Sequence, residues 1–164
     1  MYWRKTMLKD MDPSWIKGNA KEYSIKYYDG SSRKIFVTEL ETLVGDGELI
    51  VSRTDPKGII THVNASFLHL SGYSREELIG APHYILRHPD MPAVAFKGLW
   101  DDLFAGKRWN GYVKNLRKDG GFYWVYATAI PNVRNGTVVG FTSVRRKPSR
   151  KKVNEAIALY KTLL

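Results

Sequence analysis

Phe122-Tyr123-Trp124-Val125-Tyr126-Ala127 is the stretch on which the fold turns. Its residues favour strands, and it is apolar on both faces, as a strand covered on both sides must be. Lys118-Asp119-Gly120-Gly121 precedes it and Arg134-Asn135-Gly136 follows it, both hairpin signals. Three consecutive antiparallel strands are therefore expected, at roughly 109–117, 122–131 and 137–146.

Upstream, Glu48 to Arg53 reads as a strand and Gly58 to Val63 as a second, joined by the type I turn signal Asp55-Pro56-Lys57-Gly58. Asn64 is placed to cap a short helix containing Phe67, Leu68 and Leu70, which Gly72 ends. Ser74-Arg75-Glu76-Glu77 forms a capping box for another, closed by Gly80. The next and longest helix is expected to be capped by Asp90 and ended by Gly106. Its apolar stripe is Phe96, Leu99, Trp100, Leu103 and Phe104. Strand, strand, helices, then three strands is an α+β order. The two hairpins must join into one five-stranded antiparallel sheet with the helices packed on one face, forming a ligand cup.

Residues 1–45 are less legible. Tyr23 to Tyr28 and Lys34 to Thr38 read as a hairpin around Asp29-Gly30-Ser31-Ser32, and Thr38 to Val44 as a helical turn. At the other end Val153, Ala156, Ile157, Tyr160 and Leu164 share one helical stripe, which needs the sheet or a second copy of the chain as its partner.

With 164 residues and 43% apolar content the chain can bury a core, and it has no run of 18 apolar residues. Its start, Met1-Tyr2-Trp3-Arg4-Lys5, lacks the apolar run of a signal peptide. Cysteine is absent, which excludes disulfides, cysteine–metal sites and a cysteinyl flavin adduct, and suits a reducing, cytoplasmic setting. The net charge of +10 is sharpest in Arg145-Arg146-Lys147-Pro148-Ser149-Arg150-Lys151-Lys152. That run reads either as a patch for an anionic membrane surface or nucleic acid, or as a solvated linker between domain and tail. Positive charge elsewhere is scattered, which argues against a nucleic-acid groove.

Arg87-His88-Pro89-Asp90-Met91-Pro92 sets two cationic groups, a rigid turn and a carboxylate at a helix entrance, a place suited to anions. Arg87 and His88 are candidates to meet a pyrophosphate or adenine. Trp109 and Asn115 share a strand face with Gly111 and Val113, so Gly111 leaves room for a flat ring, Trp109 packs on it and Asn115 offers a donor and an acceptor. Together these point to a phosphate-bearing cofactor. There is no nucleophile–base set, metal-spaced cluster or P-loop, so an enzyme is not expected.

Val63-Asn64, Phe67, Gly72-Tyr73-Ser74 and Glu77-Leu78-Ile79-Gly80 in this order resemble a PAS sensory domain. Pro82-His83, the Arg87-to-Pro92 cluster, Phe96, Trp100, Trp109, Val113-Lys114-Asn115, Arg117-Lys118 and Tyr123-Trp124-Val125 resemble the flavin-binding PAS domains of bacterial aerotaxis receptors. The resemblance divides the chain into an N-terminal extension (1–45), a PAS domain (46–147) and a basic linker with a C-terminal helix (148–164). It implies non-covalent FAD, with FMN the second choice, held by Asn64, Arg87, His88, Asp90, Phe96, Trp100, Trp109 and Asn115. It also implies a cytoplasmic redox sensor that detects oxygen indirectly and signals by conformational change. Its partners would be a downstream signalling domain and a second copy docked through the terminal segments. Membrane contact would come through a linked anchor or the basic run. The competing readings are a haem gas sensor with His88 as axial ligand and a ligand-free dimerisation or docking module.

Overall fold

The structure is a computed structural model that describes residues 7–164; the Met1-to-Lys5 start lies outside them. Strands β1 (Lys21–Lys26) and β2 (Ser32–Val37) form a hairpin. They are followed by β3 (Ile50–Thr54), β4 (Ile60–Val63), α1 (Ala65–Ser71), α2 (Arg75–Leu78) and α3 (Ala93–Phe104). Then come β5 (Trp109–Leu116), β6 (Phe122–Arg134), β7 (Thr137–Arg146) and α4 (Arg150–Lys161). Among the described residues β3 to β7 form one antiparallel sheet of five strands in the order β4-β3-β7-β6-β5. The two hairpins join through β7, where Ser143 lies opposite Ser52 of β3 and Ala129 of β6.

Strand β6 is covered on both faces. Tyr123, Val125 and Ala127 enter the main core with Phe67, Leu70, Leu78 and Leu86. Phe122 and Trp124 face the other way, beneath Val153 and Ala156 of α4. Each large side chain so buried contributes about 1.5–3 kcal/mol. The partner of the C-terminal stripe is thus the chain's own sheet, although Leu164 at its end is exposed.

The local signals act as expected. Asn64 Oδ1 accepts from Phe67 N at 3.1 Å, and Ser74 with Glu77 closes a capping box. The β6–β7 turn needs two left-handed residues, which Asn135 (φ 51°) and Gly136 (φ 76°) supply.

Three expectations differ from the structure. Asp90 does not cap α3, which starts at Ala93 with Pro92 in the cap position and no side-chain cap bond. A residue ahead of proline is kept out of the α region, so Met91 cannot be helical and the helix cannot reach back to Asp90. Nor is α3 the longest helix, since α3 and α4 have 12 residues each. Thr38 to Val44 is extended rather than helical. Its backbone bonds go to β6, with Phe122 N donating to Leu40 O (3.0 Å) and Thr42 N to Phe122 O (2.8 Å).

The β1–β2 hairpin is tied to the rest of the molecule. Tyr27 stacks on Tyr84 with ring centroids 4.0 Å apart. Arg33 is buried and donates to Lys9 O, Ile85 O and Tyr73 Oη.

Candidate cofactor site

A cavity of about 870 Å³ lies between α3 and the inner face of β5, β6 and β7, within the range of small-molecule sites, roughly 300–1,000 Å³. Phe96, Leu99, Trp100 and Leu103 of α3 form one wall; Trp109, Val113, Ala127, Ala129 and Phe141 form the other. This explains why the apolar stripe of α3 buries only Leu103 fully: it faces a cavity, not a filled core. Phe104, the last residue of the stripe, is 60% exposed.

Trp109, Val113 and Asn115 all line the cavity, as their shared strand face requires. The space over Gly111 is taken by the neighbouring indole, because a Cβ at Gly111 would stand 2.4 Å from the Trp109 ring. Gly111 therefore makes room for Trp109 and not directly for a ligand.

Asn115 is 4% exposed, and its backbone bridges to Arg87. The Arg87 guanidinium stands 5.0 Å from the Phe96 ring, and burial lowers its pKa. The Tyr123 hydroxyl lies behind Asn115 without a well-formed hydrogen bond, its pKa pushed up to about 12 by burial.

Arg145 is a site residue hidden at the head of the basic run. It is 4% exposed, stands over the Phe67 ring and lines the cavity. Its Nη2 donates to Ser52 Oγ (3.0 Å) and to His83 Nε2 (2.7 Å). Arginine has donors only, so His83 Nε2 must be the acceptor and His83 is neutral. Burial, reinforced by the Arg145 charge, pushes His83 down to about 3, and burial takes Arg145 to about 10. The available signal was strand phase: Phe141, Ser143 and Arg145 share the inward face.

Arg87, Phe96, Trp100, Trp109 and Asn115 thus meet at the cavity, whereas Asn64, His88 and Asp90 do not line it. Asn64 is engaged by the backbone, since its side chain also accepts from Val51 N and donates to Leu49 O. His88 is buried; its Nδ1 accepts from Asp90 N, and its ring meets Phe122 edge-on. Burial and then Lys114 push its pKa down to about 3. Asp90 is exposed and pairs at 2.7 Å with Lys114, whose own side chain is mostly covered.

A model of the PAS fold matches residues 60–145, more than half of the 164. The chain belongs to the PAS fold family. Over 128 residues (78% of the chain) it is 43% identical to the aerotaxis receptor of Escherichia coli strain K12, covering 25% of that receptor. It is 30% identical over 84 residues to a nitrogen fixation regulatory protein of Klebsiella pneumoniae, covering 51% of the chain and 17% of that protein. The chain therefore spans a quarter or less of the length of these relatives. A light-oxygen-voltage domain studied with a flavin analogue superposes with a TM-score of 0.62 over 71% of the chain and 90% of its own length, at 22% identity. That likeness is one of fold. Eight wall residues of this PAS protein come from ahead of the matched segment, among them Lys26, Tyr27 and Tyr28 of the N-terminal hairpin and Lys57 of the β3–β4 turn.

Proposed function

We propose that this PAS protein holds FAD non-covalently in the cavity and acts as a redox sensor, detecting oxygen indirectly and signalling by conformational change in an aerotaxis-type pathway. One observation carries the reading. Arg87, Asn115 and Arg145 line an aromatic cavity, and each has a buried donor (Nε, Nδ2 and Nη1) with no partner among the described residues. A buried donor left unpaired costs about 1–3 kcal/mol, and a ligand presenting acceptors removes that cost. A flavin ring fits: its faces are flat and apolar, and its polar edge carries carbonyl and ring-nitrogen acceptors.

A bound flavin supplies reversible electron transfer. Asn115 orients the polar edge, Trp109 and Phe141 exclude water, and Arg145 favours the more negative state of whatever it faces. The 43% identity to an aerotaxis receptor supports this assignment. The chain has no thiol to bond a flavin, which favours redox over adduct chemistry.

The haem reading loses support, because His88 does not line the cavity and the Nε2 of His83, which does, is engaged by Arg145. The docking-module reading loses support because α4 is covered by its own sheet. We propose a signalling module without catalysis, cytoplasmic and coupled to a downstream domain or a second copy through its terminal segments. Among the described residues no helix is long and apolar enough to cross a membrane. The test is an absorbance spectrum followed by chromatography of the heat-released cofactor. FAD is expected, FMN would narrow the claim, and apoprotein that stays colourless after incubation with excess FAD would end it.

A further inference from the structure

Five cationic side chains, Lys26, Lys57, Arg87, Lys97 and Arg145, line the cavity against the lone carboxylate of Asp101 among the described residues. Lys97 is paired with that carboxylate at 2.7 Å. Arg145 is deep. Lys26 and Lys57 stand on the exposed rim with no ion pair among the described residues. They come from different hairpins, Lys26 from the end of β1 and Lys57 from the β3–β4 turn, and the Tyr28 hydroxyl bridges the two by donating to Lys57 O at 3.4 Å. The nearby carboxylates are engaged in their own turns. Asp29 accepts from Ser31 and from Tyr84 (2.6 Å), Asp55 accepts from Lys57 N and Ile59 N, and neither lines the cavity. The rim is also held in place: the Tyr27–Tyr84 stack and buried Arg33 fix the β1–β2 hairpin against the PAS core.

An apolar chamber whose exposed rim carries two unpaired lysines suits a ligand with a flat, buried head and an anionic, solvent-facing tail. We propose that Lys26 and Lys57 form a phosphate subsite, so that the N-terminal hairpin belongs to the ligand site and sets a preference for phosphorylated flavins over the bare ring system. This rests on the flavin reading above. Nothing in the PAS-matched segment supplies Lys26, so the preference depends on the hairpin.

The test titrates apoprotein with riboflavin, FMN and FAD, at low and high salt, in the wild type and in the Lys26→Ala/Lys57→Ala double variant. In the wild type FMN and FAD should bind about tenfold or more tighter than riboflavin, and the ratio should shrink as salt screens the rim. The double variant should lose most of that ratio and leave riboflavin affinity unchanged. A ratio unaltered in the double variant overturns the subsite and leaves the flavin reading standing. Failure of all three flavins to bind the wild type overturns the flavin reading, and the subsite with it.

Discussion

Arg145 places Nη2 2.7 Å from His83 Nε2, and its buried charge meets no carboxylate among the described residues. A buried cation answered only by neutral acceptors is costly. Under the proposed flavin reading, its charge serves the ligand.

Arg145→Met should therefore separate stability from binding. Losing the bonds to Ser52 and His83 is offset by no longer burying a charge, so the unfolding free energy of the apoprotein should stay within about 2 kcal/mol of wild type. Flavin occupancy after purification should be lost. Denaturant melts of both apoproteins, beside absorbance of the purified proteins, measure the two effects. Unchanged occupancy would take Arg145 out of the ligand site.

The two histidines with depressed pKa predict a pH dependence. His83 and His88 are each held down to about 3 in the folded protein, against about 6.5 when unfolded. Below about pH 6.5 the unfolded chain takes up protons that the folded chain refuses, so stability is full above that pH and falls as pH drops toward 3. Each histidine contributes a slope of about 1.4 kcal/mol per pH unit. His83→Gln, whose amide oxygen can still accept from Arg145, should remove one of the two slopes. Chemical denaturation of the apoproteins at pH 7, 6 and 5 reads this directly, and identical slopes in variant and wild type would contradict a neutral His83 held by Arg145.

Gly111→Ala probes the packing beneath the ring. The added Cβ would overlap the Trp109 indole at 2.4 Å and push it toward the cavity. Overpacking of this kind costs about 1–3 kcal/mol, and the displaced indole should weaken flavin binding about tenfold or more. Flavin titration with tryptophan emission as a second readout checks it. Wild-type affinity would mean that the indole moves away from the cavity instead.

What could be read from sequence follows from how local each feature is. The Asn135-Gly136 turn and the Ser74–Glu77 capping box are set by neighbours a few residues away, and strand β6 announced its two covered faces by composition. The start of α3 is also local, but it is set by the veto that Pro92 imposes on Met91, which outranks the capping preference of Asp90. Thr38 to Val44 was not legible, because its conformation is set by pairing with Phe122 about 80 residues away. Phe96, Trp100, Trp109 and Asn115 reach the cavity from stripes and faces that the sequence displays. Arg145 was masked by the basic residues after it. Lys26 and Lys57 meet the cavity only through the docking of one hairpin beside another, which no local pattern encodes.

Tyr160 of α4 donates to the carbonyl of Tyr112 at 2.7 Å, and Tyr112 precedes the cavity residues Val113 and Asn115 on strand β5. The helix is therefore docked on the outside of the strand whose inside would meet the ligand. A 12-residue helix held by Val153, Ala156 and Tyr160 is marginal alone, so a small change in β5 is enough to shift its docking. Anaerobic reduction of the flavin-loaded protein should raise amide exchange in residues 148–164 more than in β5, β6 and β7. Tyr160→Phe, which removes the bond, should raise exchange in the same segment about fivefold in the oxidised protein, as expected for a loss near 1 kcal/mol. If protection in residues 7–45 and 148–164 is equal in both redox states, the terminal segments do not report the flavin, and the redox-switch reading fails while the binding site stands.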